Sequence, residues 1–304
     1  MKKTSPWLNA FFIAVLVMTW GVTWPISKVA LNDCPPILLS GFRSLGAGVL
    51  LFVLSLNRLD KLHFRENWKM YFLSALFNSV LFYGLQTIGL LFVPAGLFSV
   101  IVYLQPVLIG IIAWLWIGES MTALKLTGLL LGFAGVATIS LGGLSAHISS
   151  IGIALGILTA LSWAVGTVYM KRISVKVDGV WLIAIQSIMG GLIMTGIGSG
   201  VEGFSSIAWS TPLLITLLFL ALFSVAIAWL IYFHLISTGN ASKIASFNFL
   251  VPLISILIGI LFLDEPFTYS LLAGLFLIIA SIYLVNRKSI MVTKRARANL
   301  HAHK

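Results

Sequence analysis

Residues 241–265 read ASKIASFNFLVPLISILIGILFLDE, and residues 95–119 read AGLFSVIVYLQPVLIGIIAWLWIGE. Each is an apolar stretch interrupted by one proline. Laid over one another at an offset of 146 residues, they place Leu104 on Leu250, Pro106 on Pro252, Leu115 on Leu261 and Glu119 on Glu265. The match runs on through Thr122 on Thr268 and Gly128 on Gly274. Self-similarity at a fixed spacing identifies an internal repeat. Proline inside a helix removes one hydrogen bond and presses on the carbonyl four residues back, here at Val102 and Asn248. A bent helix with a freed carbonyl is therefore expected in each copy. In hydrocarbon such groups must be re-satisfied, so paired interrupted segments point to a solute site near the middle of a bilayer. Plain packing kinks are the alternative reading.

Of the 304 residues, 60% are hydrophobic and 9% charged, and the mean hydropathy is +1.07. Such a chain is an integral membrane protein and leaves little length for a soluble domain. A spanning helix needs about 20 apolar residues. Ten runs qualify, near 8–30, 36–56, 69–91, 95–117, 122–142, 150–171, 179–198, 211–236, 241–263 and 268–286. The first follows Lys2 and Lys3 but is too long for a signal peptide and lacks a small-residue cleavage site, so it counts as a span. The net charge of +11 does not indicate a nucleic-acid partner, because the 19 Lys and Arg residues are not gathered on one soluble face. They report topology. With the N-terminus inside, 17 of the 19 fall on the cytoplasmic side, Lys28 and Arg43 being the exceptions, and both termini are expected to be cytoplasmic. Cys34 is the only cysteine, so no intramolecular disulfide exists. It lies in the expected outer loop, where an impermeant maleimide should label it.

Five spans per copy is an odd number, so the second copy must enter the membrane from the opposite side and the repeat is inverted. A second match, at an offset of 143, sets Trp20–Lys28 (WGVTWPISK) against Trp163–Lys171 (WAVGTVYMK), and puts Arg43 on Gln186, Ser44 on Ser187 and Gly48 on Gly191. Ala75 and Phe77 align with Ala221 and Phe223. The expected architecture is an all-α membrane protein of ten transmembrane helices in two inverted five-helix repeats, residues 1–143 and 148–288, joined by a short polar linker and followed by a basic cytoplasmic tail, 289–304. The anionic inner leaflet attracts such a tail. Gly128, Gly132 and Gly274 offer close helix packing, within the bundle or between the protomers of a homodimer.

Three prolines lie inside spans: Pro25, Pro106 and Pro252. They are candidate hinges, and Pro106→Ala or Pro252→Ala is expected to restore a helical hydrogen bond. On the first span Trp20, Trp24 and Lys28 share one face, as do Trp163, Thr167 and Lys171 on the sixth. The third span offers Tyr83 and Gln86, the eighth Trp229 and Tyr232 at equivalent positions, the fourth Tyr103 and Gln105, and the ninth Asn248. These amphipathic side chains suit a mainly apolar small-molecule pocket, with Gln105 and Asn248 expected to face it. Packing and hydrogen bonding to neighbouring helices is the alternative for each. Arg43 either points into the bundle or snorkels outward, and Lys28 snorkels. No Asp or Glu lies deep in a span, which removes the commonest carrier of a coupling ion. Glu119 and Glu265 read as helix-end contacts, and the outer loop holding Glu202 as an ordinary connection. His234, near the inner end of the eighth span, can titrate or merely pack.

No nucleophile elbow, H-E-x-x-H, Walker A loop or carboxylate cluster is present, so neither a metal nor a cofactor is indicated. A membrane enzyme acting on a lipid or lipid-linked substrate stays as the second reading, and a receptor or structural bundle as the third. The ten spans, W-G-x-x-W-P in the first, the L-x-P segments ending in G-E and D-E, and the T-x-x-x-x-x-G after each resemble the EamA branch of the drug/metabolite transporter superfamily across nearly the whole chain. That resemblance implies an inner-membrane permease, often an exporter of amino acids, related metabolites or amphipathic compounds, working by alternating access around a central cavity. It leaves the substrate, the direction of transport and any ion coupling open.

Overall fold

The computed structural model describes residues 6–93, 95–141, 149–262 and 269–287. Among these there is no strand, as the bilayer demands of an open chain whose backbone groups must be satisfied within each segment. The helices are α1 (Pro6–Ala30), α2 (Pro36–Leu54), α3 (Phe64–Ala75), α4 (Phe82–Phe92), α5 (Ala95–Val102), α6 (Gln105–Ile117), α7 (Ala123–Leu141), α8 (Ser150–Ile173), α9 (Gly179–Val201), α10 (Thr211–Phe219), α11 (Ala228–Thr238), α12 (Ala241–Ser246), α13 (Leu250–Phe262) and α14 (Tyr269–Asn286). Among the described residues six helical stretches are long and apolar enough to cross a membrane: Trp7–Ala30, Pro36–Leu54, Phe64–Phe92, Ser150–Ile173, Gly179–Val201 and Thr211–Thr238. Four shorter apolar helices accompany them. The molecule is a multi-pass membrane protein. The linker 142–148, Pro94, Glu265, Pro266 and the tail 289–304 lie outside the described residues.

Two of the long stretches are not α-helical throughout. Leu76–Leu81 joins α3 to α4 as a π-helical segment, and Leu220–Ile227 does the same between α10 and α11. Shifting the first by 146 residues lands it inside the second. A π segment widens the helix locally and is frequent where function needs a displaced side chain or carbonyl.

The proline-containing repeats depart from the expectation of helices bent in their middle. The chain leaves helix α5 at Val102, turns through Tyr103 and Leu104, and starts α6 with Pro106 in its first turn. In the second copy α12 ends at Ser246, Phe247–Phe249 form a 3₁₀ turn, and Pro252 is the third residue of α13. The break precedes the proline in both. First-turn N–H groups have no partner within a helix, so proline is tolerated there. Consequently Pro106→Ala has no lost α-helical bond to restore, and the discontinuity belongs to the turn residues. Pro25 lies inside α1, which continues through it.

The two most extensive helix pairings are α2 with α9 and α7 with α14. Both rest on small residues facing backbone. A Cβ on Gly48 would stand 2.6 Å from the backbone nitrogen of Ile188, and one on Gly191 would stand 2.5 Å from that of Leu45. Positions 45 and 188 are themselves related by the 143-residue offset, so the contact is reciprocal. Likewise a Cβ on Gly128 would sit 3.1 Å from the Ser281 carbonyl oxygen, and one on Gly135 2.9 Å from that of Gly274. The glycine stripe is thus occupied within the chain.

Cys34 corrects an expectation. It lies after α1 as foreseen but is 1% exposed, packed with Ala30, Leu38, Leu39, Ile207, Leu213 and Leu220. Burial, with Glu202 and Asp33 nearby, pushes its thiol up to about 12, so the reactive thiolate is scarce. Maleimide labelling of the folded protein at pH 7.5 should therefore be negligible and become complete on denaturation in SDS. Rapid labelling of the native protein would show that the loop opens.

Candidate functional site

A narrow cavity between side chains is lined by Trp20, Thr23 and Trp24 from α1, Phe82, Tyr83 and Gln86 from α4, Tyr103 from the turn before α6, Trp163 from α8 and Ser224 from the second π segment. Spacing of three and four residues on α1 brings the first three to one face. The walls are aromatic and the polar groups few, the usual composition of a site for a small amphipathic molecule. Repeat-related residues meet here. The rings of Trp20 and Trp163 cross edge-on with centroids 5.2 Å apart. Trp229 Nε1 donates to the Tyr83 hydroxyl at 2.6 Å, although these two residues stand at equivalent positions of the two copies.

The hydrogen bonds explain how indoles tolerate the interior. Trp20 Nε1 donates to the Ser224 carbonyl at 3.3 Å, in the π segment, and Trp24 Nε1 donates to the Tyr103 hydroxyl at 3.2 Å. Trp163 Nε1 is buried and has no partner, an unmet donor on a residue that lines the cavity. Of the ten residues expected to bind solute, Trp20, Trp24, Tyr83, Gln86, Tyr103 and Trp163 line the cavity. Trp229 and Tyr232 stand one layer behind, Tyr232 with its ring 5.2 Å from that of Trp20. Gln105 and Asn248 are not among the lining residues, contrary to expectation. Both are fully buried, and their amides interact with the Tyr232 hydroxyl without reaching hydrogen-bond geometry. The turns that precede the two prolines aim them there. Thr23, Phe82 and Ser224 were not foreseen as lining residues. Thr23 shares the Trp20 face and was legible from spacing, whereas Ser224 is presented by a π segment that leaves no mark in the sequence.

Arg43, on α2, points into the bundle and is fully buried. Its guanidinium lies 3.9 Å over the Tyr83 ring and donates to Ser27 Oγ at 3.5 Å and Gln86 Oε1 at 3.4 Å. Lys28 is exposed and donates to the Leu90 carbonyl at 3.3 Å, as a snorkelling lysine does. His234 packs edge-on against Phe12, centroids 5.6 Å apart.

Two carboxylates tie the copies together at opposite ends. Gly118 adopts φ +69°, the left-handed conformation that ends α6, and presents Glu119. Glu119 accepts from the N–H of Ala241 at 2.6 Å, and from the Ser242 N–H and hydroxyl at 3.4 and 2.5 Å, capping α12. Lys125 and Lys171 lie 3.5 and 3.7 Å from its oxygens. Burial works against its charge, but the Ser242 hydroxyl, the Ala241 N–H and the two ammoniums outweigh burial and hold the carboxyl below the usual range. At the other end Glu202 accepts from the N–H groups of Ile37 and Leu38, both at 2.9 Å, capping α2. Its role was not foreseen, because a glutamate in a short loop carries no partner signal. Arg58 and Asp178, 2.6 Å apart, join the loops after α2 and α8. Among the described residues no three His, Cys, Asp or Glu gather as metal ligands.

An all-helical membrane protein with self-similar halves meeting at an aromatic cavity has the form of a permease. The profile of the EamA-like transporter family matches residues 7–141 and again 150–287. The chain belongs to that family. It is 52% identical over 289 residues to the uncharacterized transporter YvbV of Bacillus subtilis, covering 95% of each chain. It is 28% identical over 261 residues to the uncharacterized inner membrane transporter YedA of Escherichia coli, covering 85% of this chain and 83% of that one. A solved structure with 17% identity superposes with a TM-score of 0.78 over 91% of this chain and 97% of its own, a likeness of fold.

Proposed function

We propose that this protein is an inner-membrane permease that exports amino acids or related amphipathic metabolites by alternating access, with ten spans in two inverted five-helix repeats, residues 1–143 and 148–288. The observation that carries the reading is the cavity itself, where repeat-related residues meet, Trp20 edge-on to Trp163 and Tyr83 hydrogen-bonded to Trp229. A site on the axis between two copies is where exchange of their roles would open it alternately to either side. Ends support the topology: with both termini cytoplasmic, Glu119 meets α12 and Arg58 meets Asp178 inside, and the Ala208 N–H meets the Asp33 carbonyl outside at 2.8 Å. The partners on this reading are a small-molecule substrate and the lipid bilayer, with Trp20, Trp24, Tyr83, Gln86, Tyr103 and Trp163 as first contacts. The discontinuities before Pro106 and Pro252 serve as hinges.

Purified protein in sealed vesicles, offered pooled cytosolic metabolites, should show saturable flux of one or more of them. Trp163→Phe removes an N–H without a protein partner, so stability should hold while KM for that solute rises about fivefold, the worth of one hydrogen bond. An unchanged KM would remove Trp163 from the site. Chemical transfer to a lipid without solute movement would replace the transport reading with the enzymatic one.

A further inference from the structure

Arg43 is under-satisfied where it stands. A guanidinium has five donors, and this one makes two long contacts with neutral oxygens while its Nε has no partner. Among the described residues no Asp or Glu pairs with it. A cation held deep in a span ordinarily pairs with an anion. Two of the groups that hold it, Tyr83 and Gln86, also line the cavity.

We propose that Arg43 is the counter-charge for a carboxylate on the solute, and that the cavity takes apolar monocarboxylates. The inference rests on the transport reading above and names its solute class. The apolar body packs against Trp20, Trp24, Phe82 and Tyr103, and the carboxylate takes the place of the Gln86 amide, which the guanidinium holds at only 3.4 Å. Bidentate pairing of guanidinium with carboxylate is the geometry such a donor fork is built for. A phosphate dianion fits less well, because the neighbouring Lys28 faces the Leu90 carbonyl and is exposed. The repeat position of Arg43 is the neutral Gln186, which accepts from Ser74 Oγ at 2.5 Å, so the charge is not duplicated in the other copy.

The test is binding to the purified full chain in detergent, read by the fluorescence of the cavity tryptophans, with phenylacetate, the neutral phenylacetamide and phenylphosphonate as probes. Phenylacetate should bind about tenfold tighter than phenylacetamide, a difference of one charge-assisted contact. Arg43→Gln should abolish that preference, bringing the ratio of the two affinities to about one. Gln86→Glu supplies Arg43 with a fixed anion, so it should keep the fold and weaken phenylacetate about tenfold by the same reasoning. Equal binding of the carboxylate and the amide by the unaltered protein, a preference kept in either variant, tightest binding of phenylphosphonate, or binding of none of the probes would each overturn the assignment. Binding does not depend on flux. A carboxylate preference without saturable transport would leave Arg43 assigned and reject the transport reading alone.

Discussion

Gly191→Ala is expected to destabilise the protein by about 3 kcal/mol, the upper end for overpacking a well-filled interior, and Gly191→Val to abolish recovery of folded protein. The added Cβ would stand 2.5 Å from the Leu45 backbone nitrogen. Backbone cannot rotate aside as a side chain can, so α2 and α9 must separate along their whole contact. Two glycines of the same helix serve as controls. Gly196 and Gly200 have nothing within 4 Å of a built Cβ, so alanine at either should be neutral or stabilising by up to about 1 kcal/mol through helix propensity. Thermal melting by size-exclusion in detergent separates the cases. Equal melting of Gly191→Ala and Gly196→Ala would show that the two helices are not held at the described distance.

The second large effect is expected from Glu119→Gln. The amide can still accept at the start of α12, but it leaves Lys125, 5% exposed, and the neighbouring Lys171 without an anion. Removing one member of a buried charge group costs on the order of 3 kcal/mol. The pH dependence has a definite sign. The folded carboxyl titrates below its ordinary value, so its contribution is fully present above the unfolded value of about 4.3 and is lost as pH falls through the lower, folded value. The melting difference between wild type and Glu119→Gln should therefore stay constant from pH 8 to 6 and shrink below about pH 4, by the same reference value. A difference that changes around neutrality would assign the linkage to another group. On the proposed topology this contact closes the cytoplasmic side, so the variant should also populate an inward-open form, read as faster hydrogen exchange of the backbone amides on that side.

Apolar runs, the repeat and most of the aromatic lining were legible in the sequence, because each depends on periodicity or self-similarity that single residues express. Trp20 and Trp24 announced themselves by their shared face, and Glu119 by its place at the end of a repeated segment. What was not legible depends on partners distant in the chain. Cys34 is buried by Ile207, Leu213 and Leu220, residues about 170 to 190 positions away, and nothing around it records their arrival. Gln105 and Asn248 sit beside the breaks as read, yet their direction is set by a turn whose geometry proline position alone does not specify. Proline was read as the cause of a mid-span bend, when it occupies the one place in the following helix that tolerates it. The ambiguity over Arg43, inward or snorkelling, could be resolved only by the helices packed around it.

The π segments at 76–81 and 220–227 have a historical meaning. A π turn is an α-helix carrying one surplus residue, so it arises by insertion and can be undone by deletion. Both copies hold it at corresponding positions, although the sequences LFNSVL and LALFSVAI share few residues. The simplest history is that the insertion already existed in the single ancestral gene and was duplicated with it. Tyr83 and Trp229 follow the two segments at equivalent positions, and they differ as acceptor and donor, the Trp229 indole N–H donating to the Tyr83 hydroxyl.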